Sequence, residues 1–131
     1  MFVRPMVSEK GIVRASRVGD GMSMHLARNV NANAGAQTIS VPQILGGLAV
    51  FTGAAGGVTY TTDTAVNILA AMPDMDIGDT FSFILSNTAA QVATIAGGSG
   101  VTASGNLTVN ASFRIFVLER TGAATMNLYG L

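Results

Sequence analysis

The segment 78–87 restricts the fold of this chain more than any other stretch of its sequence. Phe81, Phe83 and Leu85 alternate there with hydroxyl-bearing residues, except that Ile84 interrupts the polar face. A period of two with aromatic residues on one face is typical of a half-buried β-strand. A Gly-Asp pair before the strand and an Asn-Thr pair after it form turns that limit both ends. We therefore predict a strand in the middle of a β-sheet, with its aromatic face toward the core.

The segment 111–120 shows a similar alternation and is the predicted partner of that strand. Its residues Phe113, Ile115 and Val117 are expected to face the common core. Apolar residues on the opposite face as well indicate a second covered surface. We assign this opposite face to a subunit interface that consists of Arg114, Phe116, Leu118 and Arg120, with Arg114 pairing across it. Coverage by N-terminal residues or by a helix is an open alternative.

The composition favours one small β-rich domain with hidden surface. The 131 residues include 16 glycines, no tryptophan and many small apolar side chains, which suit sheets and turns better than a helical bundle. Charged residues make up 11% of the chain, against about a quarter in an ordinary globular domain. A domain so poor in charge exposes apolar surface unless copies of itself or a partner cover it.

Glycine-rich turns separate short alternating segments at intervals of roughly eight to twelve residues. This pattern predicts an all-β body over residues 37–131, an antiparallel β-sandwich of jelly-roll type. Residues 65–72 carry apolar side chains at helical spacing before Pro73, so they form the main predicted helix. Residues 42–45 can form a single helical turn that two following glycines stop.

Residues 1–36 lack a sustained period, and we predict that they form an N-terminal arm that becomes ordered on a partner. Five basic residues against two acidic ones give the arm a charge of +3, whereas residues 37–131 carry −3. A basic arm suits an acidic protein surface, and residues 29–35 have the composition of a linker. The candidate contact residues are Phe2, Arg4, Lys10, Ile12, Arg14, Arg17 and Arg28. The alternative is an ordinary first hairpin of the same domain.

Residues that could support catalysis are few. The chain has no cysteine, and its single histidine, His25, lies among apolar residues, where histidine is structural far more often than catalytic. Neither a Gly-x-Ser-x-Gly nucleophile motif nor a phosphate-binding glycine loop occurs. Asp74, Asp76 and Asp79 are weak candidates for a calcium site, but no closing glutamate follows, so a solvated acidic turn is the simpler interpretation. We expect no enzyme activity, no cofactor and no metal.

The same sequence bears on where the protein is found. The first ten residues lack the apolar run of a signal peptide, and the most apolar window, 41–58, is interrupted by proline and glycine. We expect a soluble chain made in the cytoplasm that does not associate with membranes. Its basic residues are too few, and too lacking in aromatic neighbours, for a nucleic-acid-binding module.

Five segments of the body resemble small β-structured virion proteins of tailed phages: 58–62, 65–73, 77–88, 93–101 and 113–131. The chain is most similar to the capsid decoration, or cement, proteins, and next to head-fibre or tail-fibre subunits. The resemblance implies a homotrimer on the outer surface of an icosahedral phage head, where it bridges neighbouring capsomers. Its partners would then be the major capsid protein and other copies of itself.

Two other functions remain open from the sequence. A receptor-binding fibre tip would use the glycine-rich loops at 53–57 and 97–100 to contact a host glycan or protein. A calcium-dependent enzyme or lectin would depend on the three aspartates at 74–79. Binding to capsids that lack tails distinguishes the decoration protein from the fibre tip, and a calcium titration tests the third function.

Overall fold

The computed structural model describes residues 6–7, 13–15 and 25–131, with side chains for 25–131. This part of the chain is predominantly β, as predicted, with two short helices. The strands are β1 (Met6–Val7), β2 (Val13–Ala15), β3 (Ala27–Asn31), β4 (Gln37–Ile39), β5 (Gly47–Phe51), β6 (Val58–Thr62), β7 (Thr80–Asn87), β8 (Val92–Ala96), β9 (Val101–Gly105), β10 (Thr108–Asn110), β11 (Phe113–Arg120) and β12 (Met126–Gly130). The helices are α1 (Val41–Gly46) and α2 (Ala65–Ala70). Within these ranges no helix has the length and apolar character needed to cross a membrane.

The strands of the described ranges form one small sheet and two large ones. β1 and β2 pair with each other, six strands form a sheet in the order β3-β5-β7-β11-β12-β9, and four form a sheet in the order β10-β8-β6-β4. The predicted central strand is confirmed, because β7 lies between β5 and β11 inside the six-stranded sheet. Its residues Phe83 and Leu85 are buried, and Phe81 is half-buried.

From β3 to β10 the chain crosses to the other large sheet after every strand. Up to β8, each return to a sheet runs in the same direction as the previous strand of that sheet, so β3, β5 and β7 pair in parallel, as do β4, β6 and β8. The predicted antiparallel arrangement is therefore wrong for these strands and for β9 with β12. It holds for β7 with β11, β11 with β12, and β8 with β10. Evenly spaced glycine turns fit either topology, so the spacing could not distinguish them.

One hydrophobic core contains residues of both large sheets. Phe51 of β5 and Tyr60 of β6 stack across the gap with ring centroids 4.1 Å apart. Ile68 of α2 and Leu128 of β12 are buried in the same cluster, so both sheets and the second helix contribute to one core. Each fully buried side chain of this size stabilises the fold by about 1.5–3 kcal/mol.

Both helices begin at hydroxyl caps. Ser40 accepts a hydrogen bond from the Gln43 main-chain nitrogen, and the Gln43 side chain accepts one from the Ser40 nitrogen, which is a reciprocal capping box. α1 ends at Gly47, whose φ of 88° lies in the left-handed region that favours glycine. Thr64 caps α2 in the same way by accepting from the Asn67 nitrogen. These short helices are the turns by which the chain passes between sheets.

Asn87 fixes the point where the chain leaves β7 for the other sheet. Its side chain is fully buried, and its amide nitrogen donates to the carbonyl oxygens of Gln91 at 2.6 Å and Val109 at 3.0 Å. Its amide oxygen accepts from the Ala89 nitrogen. A buried amide is stable only when its polar atoms are satisfied, so these three bonds account for a polar residue at this position.

Part of the predicted arm belongs to the body. β3 lies inside the segment 1–36, and it pairs along its whole length with β5 as the edge strand of the six-stranded sheet. Within the described residues, any arm separate from the body must therefore end before His25. The composition of residues 29–35 suggested a linker because Asn, Ala and Gly have low strand propensity, and pairing with a distant strand overrides that propensity.

Candidate functional site

The two faces of β11 are opposite to those predicted. Phe116 and Leu118 have no exposed surface and belong to the core, where Phe116 stacks on Phe83 with ring centroids 5.7 Å apart. Phe113 and Ile115 lie on the outer face and are 66% and 42% exposed. The predicted interface through Phe116 and Leu118 is therefore wrong. Because side chains alternate along a strand, an error of one residue exchanges the two faces completely.

Arg114 and Arg120 share the strand face of Phe116 and Leu118, and both form hydrogen bonds within the chain. Arg114 donates to the main-chain oxygens of Thr108 at 2.8 Å and of Leu131. Arg120 donates to the carbonyl oxygens of Met75 and of the turn that follows β11. Each guanidinium lies at one end of the inner face and satisfies carbonyl groups of neighbouring segments. This explains how arginine can share a strand face with core residues.

The outer side of the six-stranded sheet carries a continuous group of apolar residues. Register places Leu48 of β5 beside Ile84 of β7, and Ile84 beside Ile115 of β11, so one apolar row crosses three strands. A second row contains Val30, Val50 and Phe113, with Ser86 between the last two, and Val50 in this row is buried. We call this surface the outer apolar face, and it consists of Val30, Leu48, Val50, Ile84, Phe113, Ile115 and Val117.

Polar side chains bound the outer apolar face on one side. The Tyr129 hydroxyl donates to the Glu119 carboxylate at 2.7 Å and accepts from the Asn127 amide at 3.0 Å. Glu119 and Asn127 are direct cross-strand partners, and Tyr129 lies beside Val117. An apolar centre with a polar rim is the arrangement found in protein–protein interfaces.

The stack of sheets ends at β3 and β4, which are edge strands of the two large sheets. Here the space between the sheets is closed by amides, because Asn31 and Asn33 both donate to the Gln37 side-chain oxygen, at 3.3 and 3.4 Å. Asn29 donates to the Pro42 carbonyl oxygen at 3.2 Å. This amide layer was not predicted, although the polar–apolar alternation of Asn29, Val30 and Asn31 is typical of a β-strand.

A cavity of about 450 Å³ that is widely open to solvent adjoins the amide layer. It lies where β3 and β4 meet the start of α1, and no charged residue lines it. The lining residues are Asn29, Val30, Asn31, Ala32, Asn33, Thr38, Ser40 and Gln43.

The three aspartates in the turn before β7 do not form a metal-binding site. Asp74, Asp76 and Asp79 are exposed, and the Asp79 carboxylate accepts from the Asp76 nitrogen at 2.9 Å within its own turn. Across the part of the chain with described side chains, no group of three or more His, Cys, Asp or Glu residues could hold a metal ion. The carboxylate of Asp79 is thus used to close a turn.

Tyr60 carries the one buried side-chain polar atom without a hydrogen-bond partner in the described part of the chain. Its hydroxyl is enclosed in the core beside Phe51. Burial raises the pKa of Tyr60 above its ordinary value of 10.0. The hydroxyl therefore stays neutral and unbonded near neutral pH.

Most of the predicted partner-contact residues lie outside the described side chains, namely Phe2, Arg4, Lys10, Ile12, Arg14 and Arg17. Arg28 is described, and it is an exposed residue of β3. It lies beside Leu48, next to the outer apolar face. His25 is exposed immediately before β3.

The fold and this surface define a small β-rich domain with an exposed apolar sheet face. No protein-family model matches the chain, no curated protein is significantly similar to its sequence, and no solved structure is significantly similar to its fold.

Proposed function

We propose that this chain is a structural protein of a phage virion, a capsid decoration protein that self-associates through its outer apolar face. The observation that carries the proposal is that face, with Phe113 and Ile115 exposed along its β11 side. A monomeric soluble protein rarely leaves a contiguous apolar patch uncovered, so such a surface favours burial against another protein. The proposed partner is another copy, because a chain with so few charges gains solubility when copies cover one another.

The trimeric state and the capsid setting come from the resemblance to decoration proteins of tailed phages. Three copies around a threefold axis can each bury the outer apolar face while the polar rim near Glu119 and Tyr129 stays toward solvent. The major capsid protein would be the second partner, on the outer surface of the head. Arg28 is an exposed cation on the edge strand of the six-stranded sheet, so it can attract acidic groups of the capsid protein.

The finer architecture that fits this proposal is a two-layer sandwich with mixed sheets. One core shared by both large sheets and the Phe51–Tyr60 stack between them support it. An antiparallel jelly roll is not proposed, since five of the strand pairs run parallel.

A fibre subunit is the second candidate, and the parallel winding of the chain favours it. Successive passes through the two sheets stack in one direction, β3–β4, then β5–β6, then β7–β8. Stacked passes of this kind build elongated structures in which each unit contacts its neighbours. A fibre subunit or receptor-binding domain would use the same outer apolar face to assemble.

Capsid binding separates the two functions. Purified protein is mixed with heads that lack tails and fibres, taken from the phage that encodes it, and the bound fraction is measured by co-sedimentation. A decoration protein saturates these heads at a fixed ratio to the major capsid protein. Absence of binding to heads, together with presence of the chain only in purified fibres or tails, would favour the fibre subunit and refute the decoration function.

A further inference from the structure

The cavity at the open end of the stack has the size of a small-molecule site. Its volume of about 450 Å³ lies within the range of roughly 300–1,000 Å³ that is common for ligand pockets. Its lining is dominated by amide and hydroxyl side chains from β3, the loop after it, β4 and the start of α1. These elements are joined by the side-chain hydrogen bonds of the amide layer, so the lining is pre-organised.

Gln43 offers an unused donor to this cavity. The residue is only 6% exposed, and its side-chain oxygen accepts from both the nitrogen and the hydroxyl of Ser40, at 2.9 and 3.2 Å. Its amide nitrogen has no hydrogen-bond partner among the described residues. Glutamate would serve the capping box equally well, so helix capping explains the oxygen of Gln43 and not its NH₂ group.

Two neighbouring amides offer acceptors. Asn29 and Asn33 each use the side-chain nitrogen within the protein, on Pro42 and Gln37 respectively. Their side-chain oxygens have no partner in the described part of the chain. Each of these amides is therefore held at one end by the protein and presents its other end to the cavity.

We propose that this cavity binds a neutral saccharide. A sugar hydroxyl donates and accepts at once, so neighbouring hydroxyls match an NH₂ donor flanked by carbonyl acceptors. The uncharged lining disfavours anionic or cationic ligands, which would lose hydration without gaining an opposite charge. Val30 belongs both to the cavity lining and to the outer apolar face, whereas the donor of Gln43 and the acceptors of Asn29 and Asn33 lie outside that face.

The test is a binding assay on the full chain with a defined panel of sugars. Saturation-transfer NMR and calorimetry at millimolar sugar would use glucose, galactose, mannose, N-acetylglucosamine and the disaccharide of N-acetylglucosamine, with N-acetylneuraminic acid as a charged control. The first variant is Gln43→Glu, which keeps the capping acceptor and removes the NH₂ donor. The second is Asn33→Ala on the exposed loop, and Asn110→Ala on exposed β10 is the matched control outside the cavity.

At least one neutral sugar is expected to bind, and each cavity variant should weaken that binding about three- to tenfold, the effect of one lost hydrogen bond. Asn110→Ala should bind like the parent chain. If Gln43→Glu does not fold, Asn33→Ala alone decides the result. Lack of binding by every neutral sugar, binding of the charged sugar alone, or binding that the cavity variants leave unchanged would each overturn the proposal.

Discussion

Replacing Tyr60 by phenylalanine should stabilise this protein. The Tyr60 hydroxyl is buried in the core without a hydrogen-bond partner, and leaving such a group unpaired costs about 1–3 kcal/mol. Phenylalanine keeps the ring that stacks on Phe51 at 4.1 Å and removes only the oxygen. The free energy of unfolding should therefore rise by about 1–3 kcal/mol.

The advantage of Tyr60→Phe should grow at high pH. Because burial raises the pKa of Tyr60 in the folded state, the unfolded chain loses its phenolic proton first as the pH passes 10.0. The parent protein then loses about 1.4 kcal/mol of stability per pH unit until the folded-state pKa is reached, whereas the variant lacks this loss. Below pH 10.0 the difference between the two proteins should be constant.

Urea unfolding monitored by circular dichroism measures this difference. With a slope of about 1–3 kcal/mol per molar urea, a gain of about 2 kcal/mol moves the midpoint upward by about 1 M. Tyr129→Phe is the matched control, because that hydroxyl bonds to Glu119 and Asn127 and its loss should destabilise by about 1 kcal/mol. Equal or lower stability of Tyr60→Phe would mean that the hydroxyl has a partner and that the core description is wrong.

Two further changes test the fold. Asn87→Ala leaves the carbonyl oxygens of Gln91 and Val109 without their donor, so the free energy of unfolding in urea should fall by about 3–5 kcal/mol. The control Asn110→Ala, at an exposed position, should change it by less than about 0.5 kcal/mol. Similar losses in both variants would contradict the role of Asn87. A chain beginning at Gly35 lacks β3 and therefore loses the pairing of β3 with β5. Its free energy of unfolding should be about 2–5 kcal/mol lower than that of a chain beginning at His25. Equal thermal midpoints of the two chains would mean that β3 does not stabilise the body and belongs to the arm.

The positions of the strands could be predicted well from the sequence, whereas their pairing could not. Alternation and turn residues located β7 and β11 to within a few residues, because these signals are local. Whether a strand pairs in parallel depends on the path of the chain between two sheets, and no local pattern records that path. The parallel winding of β3, β5 and β7 could therefore not be predicted.

The residues of the candidate surface were not predicted. The sequence assigned a covered interface to Phe116 and Leu118, which lie in the core, and the exposed apolar residues of β11 are on its other face. The core face of β11 was predicted wrongly because one face carries three apolar residues, Phe113, Ile115 and Val117. The true core face carries only two, and an arginine lies on each side of them. Arg114 and Arg120 can share the inner face since their long side chains reach carbonyl groups beyond the ends of the core. That reach depends on distant segments and is invisible in the strand itself.

The mass in solution of an outer-face variant tests the central claim most directly. Ile115→Asp places a carboxylate at an exposed position of the outer apolar face, where burial in a dry interface costs several kcal/mol. Thr102→Asp puts the same charge on the same sheet side, at an exposed polar position of β9. Light scattering should give three times the chain mass for the parent and for Thr102→Asp, and a folded monomer for Ile115→Asp. A monomeric parent, or a trimer that Ile115→Asp leaves intact, would contradict assembly through this face.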